Sequence, residues 1–205
     1  MNNTIAFCGT HRVGKTTLAE RLHKDHFPDL QLIVELNSQL TTCSRGADAD
    51  VEAAKRYLGT FKAARWSSFI SDRAVIDSLA YGAANGHYCT IETLASMALA
   101  VASRVSHLFF VPIAIVVPVS DGVYQELVDQ NIRAFFECFE ILHHCVRSIK
   151  LEDRVQEVWE VVQGERQLVP WWEGEECQDK GVTLPRRLEE TIAALRGGGA
   201  HEVVS

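Results

Sequence analysis

The segment Gly9-Thr10-His11-Arg12-Val13-Gly14-Lys15-Thr16 fits G-x-x-x-x-G-K-[ST], and its neighbours give that pattern its meaning. Thr4 to Cys8 before it is a short apolar run, as in a buried strand. Lys15 to His26 after it carries Leu18, Ala19 and Leu22 at helical spacing. A glycine-rich turn between a strand and a helix can wrap closely around an anion, because glycine allows successive N–H groups to turn inward. The opening helix adds its positive end.

Residues Gly9, Thr10, His11, Arg12, Val13, Gly14, Lys15, Thr16 and Thr17 therefore read as a cradle for a nucleoside triphosphate, with ATP and Mg²⁺ as the expected cofactors. Lys15 is placed to reach the β- and γ-phosphates, and the Thr16 hydroxyl to ligate the metal.

Outward from this loop, Leu30 to Leu36 is a second strand candidate, and Trp66 to Ser71 a third, ending at Asp72. Val51 to Ala64 reads as helical. Ile91 to Val105 has a helical pattern, Leu108 to Val117 that of a buried strand, and Tyr124 to His144 that of a long amphipathic helix. Cys145 to Leu151 is read as the last strand and Glu152 to Val162 as another helix. Strands alternating with helices imply crossovers and a mostly parallel sheet. The expected fold is an α/β three-layer P-loop NTPase sandwich with helices on both faces.

The chain is 205 residues long, enough for one packed domain, assigned to residues 1–163. Residues 164–205 change character: Pro170-Trp171-Trp172, then the acidic run Glu173 to Glu176, then a short helix from Pro185 to Arg196 and three glycines. They read as a C-terminal appendage with a loose tail. A net charge of −7 argues against bulk attraction to nucleic acid or anionic membrane. The six cysteines have no C-x-x-C pair or zinc-like spacing and read as thiols of a reducing compartment. The start Met-Asn-Asn-Thr lacks a signal-peptide pattern, and the apolar region Thr93 to Val119 is broken by Arg104, His107 and Pro112. A cytoplasmic protein without a membrane span is expected.

Asp72 and Arg73 follow the third strand candidate. A carboxylate there faces the phosphates and can hold magnesium with Thr16, while the Arg73 fork suits an acceptor phosphate or hydroxyl. Asp77 reads as a cap for a helix opening around Ser78. His143-His144 lacks a third ligand at metal spacing and reads as structural, on the helix ending there. The Trp171-Trp172 pair reads as packing of the tail.

Asp72-Arg73-Ala74-Val75-Ile76-Asp77-Ser78-Leu79-Ala80-Tyr81-Gly82 resembles the D-R-Y-x-x-S-S-x-A-Y-Q stretch of thymidylate kinases. Length, strand–helix order and loop position are similar over about three-quarters of the chain. The resemblance is to a divergent, phage-type member, and it implies an ATP-dependent phosphotransferase. It implies that Arg73 binds the acceptor, that Ser78 and Tyr81 line the acceptor pocket, and that Arg12 bridges donor and acceptor phosphoryl groups. It also implies a homodimer. By likeness to deoxynucleoside kinases, Glu35 would take the proton of an attacking hydroxyl. Arg45 belongs to a basic segment flanking the acceptor site, and Arg133 is the nearest candidate for a lid arginine.

Two departures bear on the acceptor. His11 stands where many thymidylate kinases have an aspartate reading the sugar 3′-hydroxyl, and Gly82 where they have a glutamine reading thymine. A pyrimidine deoxynucleotide-like acceptor other than ordinary dTMP is expected. The alternatives are a hydroxymethyluracil base within phage DNA and, in another class, a nucleotide-binding regulatory ATPase.

Overall fold

Thr4–Cys8 (β1) is buried at all five positions, as a strand inside a parallel sheet must be. The computed structural model describes residues 3–34, 52, 54–56, 59–60, 68–86, 105–113 and 122–164. Within them, β1 lies between Phe69–Ser71 (β3) and His107–Phe110 (β4). Gln31–Ile33 (β2) extends the sheet beyond β3, and His144–Cys145 (β5) beyond β4. The order is β2-β3-β1-β4-β5, and every pairing is parallel.

Among the described residues, Lys15–His26 (α1), Val75–Ala84 (α2), Gly122–Cys138 (α3) and Leu151–Val162 (α4) are helices that pack on the sheet. Alternation along β1 sorts them into layers. Ile5 and Phe7 pack with Leu18 and Leu22 of α1 and Val155 and Val158 of α4. Ala6 and Cys8 pack with Leu79 and Ala80 of α2 and Val128 and Ile132 of α3. Phe7, Leu18, Leu22 and Phe109 are fully buried, each contributing about 2 kcal/mol by leaving water. The result is a three-layer α/β sandwich, as expected. Among the described residues, no helix is long and apolar enough to cross a membrane.

β1 and α1 match the sequence reading residue for residue, and the described residues of the Val51–Ala64 segment are helical. Four boundaries further along differ from the sequence reading. The helix expected to run to His144 ends at Cys138, because Glu140 takes φ 52. The Ile141 amide then donates to Phe136 O at 3.0 Å and the Glu140 amide to Glu137 O at 3.4 Å. This is a Schellman closure with glutamate where glycine is usual. His143 therefore stacks on Phe136, ring centroids 3.7 Å apart, and burial lowers its pKa to about 4. His144 opens β5, so that strand is shorter and earlier than expected. Helix α2 opens at Val75, three residues before Ser78, with Asp77 reaching back to the Ala74 amide at 3.5 Å. The strand read as Leu108–Val117 is His107–Phe110, with residues 114–117 outside the described set. The Ile91–Val105 helix (apart from Val105 itself) and the 164–205 appendage (apart from Gly164) also lie outside it.

Candidate active site

The loop between β1 and α1 starts at a position where only glycine fits. Gly9 has φ +146, and a Cβ built on it would sit 2.4 Å from the Val111 carbonyl oxygen. That carbonyl belongs to the backbone leaving β4, so neither side can yield cheaply. Gly9→Ala is expected to destabilise the fold by roughly 2 kcal/mol or more. Urea unfolding checks this: the midpoint should drop with the slope unchanged.

At the loop's far end Gly14 has φ 88 and precedes α1 without a capping side chain. The first-turn amides of α1, with no acidic residue among them, direct a positive end into the loop. Lys15 is buried, and its Nζ donates to Gly9 O and Thr10 O, both at 2.6 Å. Burial, and secondly the nearby Arg73 charge, lower its pKa to about 8.

The Thr16 hydroxyl donates to Asp72 Oδ2 at 2.6 Å. Asp72 is completely buried just beyond β3, and its Oδ1 has no hydrogen-bond partner among the described residues. A buried carboxylate oxygen left unpaired is costly. This pair of oxygen donors fits a hard divalent cation such as Mg²⁺, which draws its other ligands from water and phosphate. Among the described residues, no cluster of three or more His, Cys, Asp or Glu could hold a metal alone.

Helix α2 ties this region together. Asp77 Oδ1 accepts the Gly9 amide at 2.9 Å, and its Oδ2 lies 3.8 Å from Arg73 Nη1. Burial raises the Asp77 pKa, opposed by Lys15, Arg73 and the two amides it accepts. One turn on, the Tyr81 hydroxyl accepts the His11 amide at 2.7 Å. Ser78 is buried on the same helix. From α3, Gln125 Nε2 donates to His11 O at 2.7 Å, and Tyr124 donates to Asn85 Oδ1 at 2.9 Å. From α4, Arg154 Nη1 donates to Val13 O at 2.8 Å, and its Nε to Ser148 O at 2.7 Å.

Glu157, also on α4, accepts from His144 and from the Arg147 and Ser148 amides. Burial pushes the Glu157 pKa up, but these hydrogen bonds outweigh it and hold the carboxyl down at about 2.

Lys15, Thr16, Asp72, Arg73 and Tyr81 are thus gathered around one loop, with Ser78 on the helix that braces it. The Arg12 side chain is exposed at the loop's apex. Arg133 lies along α3, its Nε on Asp129 at 2.7 Å and its guanidinium 4.8 Å from the Phe110 ring centre. Glu35 and Arg45 lie outside the described residues. Asp77 was legible only as a cap, although its i, i+4 spacing from Tyr81 puts both on one helix face. Gln125 and Arg154 gave no sequence signal, since their partners lie 114 and 141 residues away.

The sheet order and the strand–loop–helix unit define a three-layer P-loop α/β protein. No protein-family model matches the chain, and no curated protein sequence does. Among solved structures it is similar to a thymidylate kinase from Candida albicans, described as revealing the origin of broad substrate specificity and a novel structural element. The TM-score is 0.54 at 14% identity, over 80% of this chain and 92% of that one, which is a likeness of fold.

Proposed function

We propose that the protein is an ATP- and Mg²⁺-dependent phosphotransferase acting on a pyrimidine deoxynucleotide-like acceptor. One observation carries this reading: a buried, half-unpaired Asp72 joined to the Thr16 hydroxyl beside the P-loop, with Arg73 next in the chain. A loop that only bound nucleotide would have less use for that arginine. The likeness to a thymidylate kinase supports the same choice.

In this reading the α1 amides and Lys15 hold the β- and γ-phosphates. Thr16 and Asp72 hold Mg²⁺, which when bound neutralises charge on the transferring group. Arg73 orients the acceptor so that its oxygen lies in line with the γ-phosphorus. As the new P–O bond forms, the bond to the β-phosphate oxygen breaks and ADP leaves. Arg12 places a further positive charge against the group in transit, where little covalent work is left for the protein. For an alcohol acceptor Glu35 would take the proton; a phosphate acceptor needs no such base.

The test is transfer of label from γ-labelled ATP to a panel of nucleosides, monophosphates, plain DNA and hydroxymethyluracil-containing DNA. Label is expected on a pyrimidine deoxynucleotide, with dTMP a poor acceptor because of His11 and Gly82. Label on the modified DNA alone would move the acceptor into a polymer. Slow hydrolysis that no acceptor accelerates would overturn the reading in favour of a regulatory ATPase.

The low Lys15 pKa sets a pH dependence. Bound polyphosphate favours the charged ammonium, so binding takes up a proton wherever Lys15 is neutral in the free protein. ATP affinity should be level below about pH 8 and fall by up to about tenfold per pH unit above it. Calorimetric titration between about pH 7 and pH 9.5 measures this. Lys15→Arg should remove the bend, since a guanidinium stays protonated there. A level profile in the wild type contradicts the assignment.

A further inference from the structure

Phosphate binding accounts for the amides at the start of α1 but not for how the loop's apex is held. The His11 N–H belongs to the Thr10–His11 peptide plane, and the Tyr81 hydroxyl fixes it at 2.7 Å. The His11 carbonyl belongs to the following plane, and Gln125 Nε2 fixes that at 2.7 Å. Two successive planes are therefore pinned from two different helices. Both clamping side chains are buried, Tyr81 at 6% and Gln125 at 4% exposure.

The residue after the second pinned plane is Arg12, with φ 61. A residue with a Cβ holds a left-handed conformation only where its surroundings dictate it. Fixing the His11 carbonyl direction fixes one of the two peptide planes whose relation sets the Arg12 φ, so the clamp bears directly on it. Freed of it, the arginine backbone would relax toward negative φ and its side chain would swing off the apex.

The geometry points to Gln125 and Tyr81 as positioning residues that hold Arg12 left-handed, aiming its guanidinium at the phosphoryl group in transit. This rests on the role given to Arg12 above. Gln125 acts through the backbone and touches no reacting atom.

Gln125→Glu keeps the shape and sets an acceptor where the donor was, facing the His11 carbonyl. It is expected to lower kcat by about tenfold or more, since a hydrogen bond is lost and two acceptors now oppose each other, with KM for ATP changed by less than about threefold. In an Arg12→Ala background the same change should add less than about twofold, because coupled residues are not additive. Equal losses in both backgrounds, or a raised KM at unchanged kcat, would overturn the proposal. A second readout needs no activity: the rate of trypsin cleavage after Arg12, followed by mass spectrometry. It should rise in Gln125→Glu and in Tyr81→Phe while the melting temperature stays within a few degrees. Should Gln125→Glu not fold, Tyr81→Phe carries both measurements. Unchanged cleavage in the folded variants sinks the clamp. A wild type that phosphorylates nothing sinks the kinase reading alone, because the cleavage test still stands.

Discussion

Lys15→Ala is expected to cut phosphoryl transfer by about 10²-fold or more while the protein still folds. The magnitude follows from what one preorganised charge contributes to a transition state in a dry site. Lys15 is buried, and its ammonium is held by the Gly9 and Thr10 carbonyls, so little reorganisation is needed when phosphate arrives. The fold is not expected to depend on this charge, because burial disfavours it and lowers its pKa to about 8. Thermal unfolding should therefore move by only a few degrees. Initial rates on the labelled acceptor, together with a melting curve, check both halves. Near-normal turnover would remove Lys15 from the chemistry, and a collapsed melting curve would make it a structural residue.

Asp72→Asn should lower turnover by about 10²- to 10³-fold and raise the Mg²⁺ concentration needed for half-maximal rate. The substitution leaves shape and volume alone and removes the charge that a hard cation requires. It also leaves Thr16 an oxygen to donate to, so the local packing at 2.6 Å survives. Rates measured over a range of Mg²⁺ decide it. An unchanged metal dependence would show that the unpaired Oδ1 of Asp72 serves something other than a cation.

The parts of the fold that were legible are those where local chemistry leaves one choice. β1 is an unbroken apolar run closed by Gly9, and α1 begins where Gly14 ends the loop. Both were placed to the residue. The end of α3 was hidden, because its left-handed terminus carries Glu140 rather than glycine and nothing in the composition marks it. The core stripe of that helix also runs straight on through Ile141, which packs against the same cluster after the chain has turned. In the site, the loop residues and Asp72-Arg73 could be read because their spacing is set by phosphate geometry. Asp77 looked like a helix cap, and it does reach the Ala74 amide, but its second partner, the Gly9 amide, depends on how β1 and β3 pair. Gln125 could not be read at all, since a glutamine in an amphipathic helix resembles any solvated position until α3 is docked on the sheet.

In the proposed function this loop grips a triphosphate between the first turn of α1 and Asp72. The decisive experiment is a crystal structure of the protein grown with Mg²⁺ and a non-hydrolysable ATP analogue. The predicted result is β-phosphate density on the amides of Gly14 to Thr16, with a metal bound at the Thr16 hydroxyl and the Asp72 side. Nucleotide bound elsewhere, or a loop that stays without it at saturating concentration, would contradict it.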